Sequence, residues 1–139
     1  MTTVSTTRRT QPGSRVALMW LLYVCDAGLL VASGLIHLHL WDIAYRHVKT
    51  LDVLFLVQVV ACLLAAVAVL ATRRFLVVAA AALLMAGTIV GFVLARTVGI
   101  FGFHLTFFSG LAWTVLIVEA VAVVLLSLTG WLLLTGRVR

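Results

Sequence analysis

Four apolar stretches, at about 16–40, 51–71, 75–95 and 110–134, are separated by short polar or charged breaks. Each holds the ~20 mostly apolar residues that a helix needs to cross a bilayer. Only Thr72-Arg73-Arg74 stands between the second stretch and the third, so those two helices are antiparallel neighbours. Trp41 to Thr50 joins the first pair, and Arg96 to Ser109 joins the third to the fourth. The pattern predicts an all-α polytopic membrane protein, an up-down-up-down bundle of four transmembrane helices. Residues 1–15 are polar, rich in Thr and Arg, and hold the only proline, Pro12. They read as a flexible cytoplasmic tail ahead of a four-helix transmembrane domain over 16–139. The first stretch is about twice the usual 7–15-residue core of a signal peptide, so cleavage is not expected.

Composition sharpens this picture. Of 139 residues, 65% are hydrophobic and 10% are charged. Soluble domains are about half apolar and a quarter charged. An ordinary cytoplasmic enzyme, a disordered tail and a disulfide-stapled secreted domain are thereby excluded. The two cysteines, Cys25 and Cys62, lie inside apolar stretches and form no C-x-x-C pair, which speaks against thiol–disulfide exchange.

The net charge of +6 is a topology signal and not a nucleic-acid footprint, because all ten Lys and Arg lie at or near the ends of apolar stretches. Arg8, Arg9, Arg15, Arg73, Arg74, Arg137 and Arg139 fall on one side; Arg46, Lys49 and Arg96 fall on the other. The positive-inside rule then puts both termini in the cytoplasm, in a multi-pass protein of the cytoplasmic membrane. Trp20 and Trp131 fall towards the inner interface, Trp41 and Trp113 towards the outer one.

Two acids, Asp26 and Glu119, lie near the middles of the first and fourth stretches. Each costs roughly 2.5–3.5 kcal/mol at a helix centre on insertion scales, so each is expected to face the bundle interior or a watery cavity. Asp26, Ser33 and His37 are spaced by seven and four residues and fall within about 20° of one line on a helix. They form a polar stripe from mid-membrane to the outer end, and His39 lies off it. Gln58 and Glu119 enter the membrane to depths that differ by only ~3 Å. A hydrogen bond between them is therefore expected. Asp26, Ser33, His37, Gln58 and Glu119 form the candidate ligand or proton site. Gly87-x-x-x-Gly91 and Gly28-x-x-x-Ala32 supply small faces for helix packing within the bundle.

Tyr45, Arg46 and His104 are the candidate outer-face residues, beside Asp42, His47, Lys49 and Asp52. His37 and His104 are the pair at matching depth that suits a haem or a metal ion. The segment from Gly99 to Gly110 is rich in Phe and Gly and holds no Lys, Arg, Asp or Glu. It is expected at the outer interface.

Ser33-Gly34-x-Ile36-His37-x-x-x-Trp41, Tyr45-Arg46, Phe55-Leu56-x-Gln58, Gly99-x-Phe101-Gly102-Phe103 and Glu119 together resemble a group of small four-span actinobacterial integral membrane proteins of uncharacterised function. The resemblance implies the four-span fold and no activity. It also implies an acid or amide after the Phe-Gly-Phe run, where this chain has His104.

These features point to a non-enzymatic small membrane protein, an accessory subunit of a membrane assembly with a polar site open to the outer face and no resident cofactor. Its partners are the lipid bilayer, further copies or other membrane subunits, and no nucleic acid. The alternatives are a small proton-coupled transporter using Asp26 and Glu119, or a haem- or metal-binding redox subunit using His37 and His104. The topology has a direct test. An alkaline phosphatase fused to the C-terminus is expected to be inactive, and a fluorescent protein fused there to be bright. An active phosphatase would reverse the orientation.

Overall fold

A computed structural model describes residues 12–102, 104 and 110–136. Four of the arginines counted for topology (Arg8, Arg9, Arg137 and Arg139), Phe103, and 105–109 of the Phe- and Gly-rich segment lie outside the described residues. The described chain is almost entirely helical: α1 Pro12–Leu40, α2 Leu51–Thr72, α3 Phe75–Thr97 and α4 Gly110–Leu134. Each is long and apolar enough to cross a membrane. The shortest, α2, has 22 residues and a length of roughly 33 Å, close to the ~30 Å of a bilayer's hydrocarbon core.

Local chemistry sets the helix ends. Proline suits a first helical position, where its missing N–H has no partner to lose. Accordingly α1 begins at Pro12 and takes in Pro12–Arg15, whose polarity had placed them in the tail. At its other end α1 runs into a π turn, Trp41–Tyr45, closed by the Arg46 N–H on the Trp41 carbonyl at 2.9 Å. The α2–α3 link turns on Arg73, which adopts the left-handed conformation with φ of 51° and donates its N–H to the Val69 carbonyl at 3.1 Å. Arg74 follows in extended conformation, and α3 begins at once.

Each helix packs against its neighbours in sequence, and α4 closes the ring against α1. Thus α1 lies diagonal to α3, and α2 to α4. The interior is lined by Leu30, Val69, Val78, Met85 and Leu126, all fully buried. The outward surface is just as apolar: Leu64, Val67, Leu76, Leu83 and Val124 are each at least 65% exposed. In water such a surface would aggregate. In lipid it is the solvated face, and the helices satisfy their own backbone groups.

The small-residue faces require a correction. A methyl group added at Gly28, Gly87 or Gly91 would meet nothing within 4 Å among the described residues, so these glycines do not serve packing inside the bundle. The close approach is at Gly34, where an added Cβ would lie 3.2 Å from the Cys62 Cβ and 3.6 Å from the Val59 carbonyl oxygen. Gly28 precedes Gly34 by six residues, which turns it about 120° away around the helix. Spacing alone reveals a small face but not the direction in which it points. We expect Gly34→Val to destabilise the bundle by about 1–3 kcal/mol through overpacking against α2. Gly87→Ala should leave it unchanged. Thermal unfolding in detergent checks both.

Candidate functional site

The polar side chains of the interior gather on the seam between α1 and α4. Asp26, Ser33 and His37 come from one face of α1; Glu119 and Thr129 come from α4. All five are buried. Nothing in the sequence offers them water at this depth, so each must find partners on the facing helix.

Near the C-terminal end of α1 the partners are Ser33, His37 and Glu119. The His37 Nδ1 lies 2.9 Å from the Ser33 backbone carbonyl, one helical turn back. A carbonyl cannot donate, so Nδ1 carries the proton in this contact. The other ring nitrogen, Nε2, lies 3.6 Å from Glu119 Oε1. The Ser33 hydroxyl donates to the same carboxyl oxygen over 3.5 Å. Glu119 Oε2 is buried with no hydrogen-bond partner among the described residues. Phe55 of α2 covers the imidazole at 5.4 Å between ring centroids, and Tyr45 stacks on Phe55 at 4.5 Å.

This geometry permits one specific chemistry. With Nδ1 committed to Ser33, a neutral His37 presents its Nε2 lone pair to Glu119. At 3.6 Å the two groups are just beyond hydrogen-bond distance, and one proton resides either on the carboxyl beside neutral imidazole or on the imidazole beside carboxylate. Net charge is zero in both forms; loss of the proton leaves one buried carboxylate beside neutral imidazole, the costlier state.

Further along the seam, Thr129 Oγ1 donates to Asp26 Oδ2 at 2.7 Å. The same hydroxyl lies 3.1 Å from the Leu125 carbonyl of its own helix. Asp26 Oδ1 has no partner among the described residues. Asp26 and Ser33 are seven residues apart on α1, or roughly 10 Å along the axis. Leu30, Ala122 and Leu126, all fully buried, share the interior with the two clusters.

The remaining candidates lie elsewhere. Gln58 does not meet Glu119. Its Nε2 donates to Thr88 Oγ1 at 2.9 Å and to Cys62 Sγ at 3.4 Å, tying α2 to α3. The reason is the ring order: α2 is diagonal to α4, and equal depth is no help when the helices are not neighbours. Arg46 forms an exposed pair with Asp42 at 3.3 Å. His104 is exposed, with Nε2 3.3 Å from the Thr97 carbonyl, whereas His37 faces Ser33 and Glu119. No group of three or more His, Cys, Asp or Glu suited to a metal occurs among the described residues.

Thr129 and Thr88 are uncharged hydroxyls within apolar stretches and give no charge signal in the sequence. Thr129 was findable: Glu119, Ala122, Leu126 and Thr129 follow the three-and-four spacing of one helix face. Thr88 is the one hydroxyl in the apolar middle of α3. Comparison with family models, with curated proteins and with solved structures finds no match for this chain.

The Thr129–Asp26 bond predicts a graded pair of variants. Thr129→Val removes the hydroxyl at nearly constant volume and is expected to cost about 1–3 kcal/mol, the penalty for a buried acceptor without a donor. Thr129→Ser keeps the donor and should lose less than half as much. Equal losses in detergent unfolding would mean that packing, not the hydrogen bond, holds α4 at this point.

Proposed function

We propose that this chain is a non-catalytic accessory subunit of a membrane assembly, and that it binds and releases one proton at the His37–Glu119 pair. The observation that carries this reading is the buried contact of His37 Nε2 with Glu119 Oε1, with Nδ1 already held by Ser33. No Lys or Arg neutralises Glu119 among the described residues, so its charge is governed by the proton it shares with His37.

A through-membrane proton carrier is the weaker reading. Such a carrier needs polar groups in succession, and proton transfer operates over hydrogen-bond distances of about 3 Å or through a water. The gap of roughly 10 Å between Asp26 and Ser33 falls in a part of the interior shared with Leu30 and Leu126. Exchange with the end of the bundle near His37 is the shorter route. The charge asymmetry of the sequence supports that end facing outward, since Arg8, Arg9, Arg15, Arg73, Arg74, Arg137 and Arg139 fall on the opposite side against Arg46, Lys49 and Arg96. The open glycine faces at Gly28, Gly87 and Gly91 support an accessory role, because they let a partner helix approach closely.

Infrared difference spectra between acid and alkaline pH, on protein in bilayers, test the proton site. A carboxyl C=O band is expected that vanishes in Glu119→Gln, changes in His37→Ala and stays in His39→Ala. His39 is exposed and serves as the control. Spectra of Glu119→Gln that match the unmodified protein would sink the proposal. Native mass spectrometry after gentle solubilisation tests the accessory role, which predicts co-purifying membrane chains.

A further inference from the structure

At the end of the bundle opposite His37, a cleft of about 460 Å³ opens between the first turns of α1, the α2–α3 link and the last turns of α4. Its walls are mostly apolar and include Val16, Met19, Phe75 and Leu132. Three other side chains line it: Arg73, Trp20 and Tyr23.

Arg73 is held in a particular pose. Its guanidinium carbon lies 3.9 Å from the centroid of the Trp20 ring, so the planar cation stacks on the indole. Its Nε–H donates to the Leu70 carbonyl at 3.2 Å. Stacking uses the flat face of the guanidinium and leaves the in-plane donors of the two terminal nitrogens for a ligand. Such a fork matches the oxygens of a phosphate. Arg74 adds a second positive charge next in the chain. Among the described residues no Asp or Glu pairs with Arg73: Asp26, one turn from Tyr23, is buried in the seam and bonded to Thr129, Glu119 is buried further along the seam, and Asp42 and Asp52 lie beyond the other end of α1.

We propose that this cleft is a binding site for one anionic phospholipid, with the headgroup phosphate on Arg73 and an acyl chain along the wall of Val16, Met19 and Leu132. The combination selects the ligand class. A fixed cation above an apolar cleft, at the membrane end of a helix bundle, fits a molecule with a phosphate head and a hydrocarbon tail. A free phosphate would leave the apolar walls without a partner. A zwitterionic lipid would bring an ammonium group towards Arg73 and Arg74.

The backbone at Arg73 supplies a discriminating variant. Its φ of 51° is a conformation that glycine adopts without strain. Arg73→Gly therefore deletes the side chain while suiting the turn. The test uses purified protein in a neutral detergent, with phosphatidylglycerol, phosphatidylcholine or inorganic phosphate added, read by native mass spectrometry and thermal unfolding. The unmodified protein is expected to retain one phosphatidylglycerol and to be stabilised by it more than by phosphatidylcholine. Arg73→Gly should unfold at an unchanged or higher temperature in phosphatidylcholine, yet bind phosphatidylglycerol roughly tenfold more weakly, about 1.4 kcal/mol. Arg74→Gln should keep most of the preference.

Equal retention of the two lipids, or an undiminished preference in Arg73→Gly, would overturn the site. Stabilisation by inorganic phosphate equal to that by phosphatidylglycerol would mean a free anion and overturn the lipid. If Arg73→Gly does not fold, brominated lipids carry the test, in a Trp41→Phe, Trp113→Phe, Trp131→Phe background that leaves Trp20 as the reporter. Brominated phosphatidylglycerol must then quench Trp20 more strongly than brominated phosphatidylcholine. Equal quenching rejects the proposal.

Discussion

Two carboxyl groups that cannot reach water govern how this bundle closes. Surrounded by hydrocarbon, a helix gains little from burying one apolar face rather than another. The hydrophobic effect that assembles soluble bundles therefore does not choose which helices meet. Asp26 and Glu119 make that choice. Each would be costly against lipid, and each finds its polar partners across the α1–α4 seam: a hydroxyl donor from Thr129 for Asp26, and the Ser33 hydroxyl and His37 imidazole for Glu119. The contact of the last helix with the first follows from this, and with it the ring order that sets α2 diagonal to α4. The same order sends Gln58 to Thr88 and joins α2 to α3 by a hydrogen bond rather than by apolar contact alone.

Much of this was legible in the sequence, for a physical reason. Against an apolar background a polar residue stands out, and the helical period then says which polar residues share a face. Asp26, Ser33 and His37 were readable as one stripe on that ground, and four apolar stretches as four helices. Counting residues along the axis gives a side chain's position along its helix. What depth leaves open is the direction in which a side chain points around the axis and which helix it meets there. Gln58 and Glu119 matched in depth and are not neighbours. Gly28, Gly87 and Gly91 were readable as small faces, while the tight packing lies at Gly34. Arg73 was counted for its charge; its stacking on Trp20 depends on a turn conformation that no local pattern announced.

The two ends of the bundle differ in kind. Near His37 the polar groups are internal, with Phe55 against the imidazole and Tyr45 stacked on Phe55. Near Arg73 the charge is external and permanent, and its partner must come from the surroundings. Leu30, Ala122 and Leu126 belong to the interior between them and offer no side-chain hydrogen-bonding group to link the two ends.

The chain separation across the seam has a consequence for how the protein is made. Asp26 is bonded to a residue 103 positions later, and Ser33 to one 86 positions later. At about 5–20 residues per second, roughly 5–20 s of synthesis separate Asp26 from its donor. Throughout that interval α1 is complete but its carboxyl has no bundle to turn into. The α1–α2 pair and the α2–α3 hairpin, the latter joined by two residues outside helix, need nothing from α4. The α1–α4 seam therefore closes last, and until then Asp26 and Ser33 lack the partners that the finished bundle gives them.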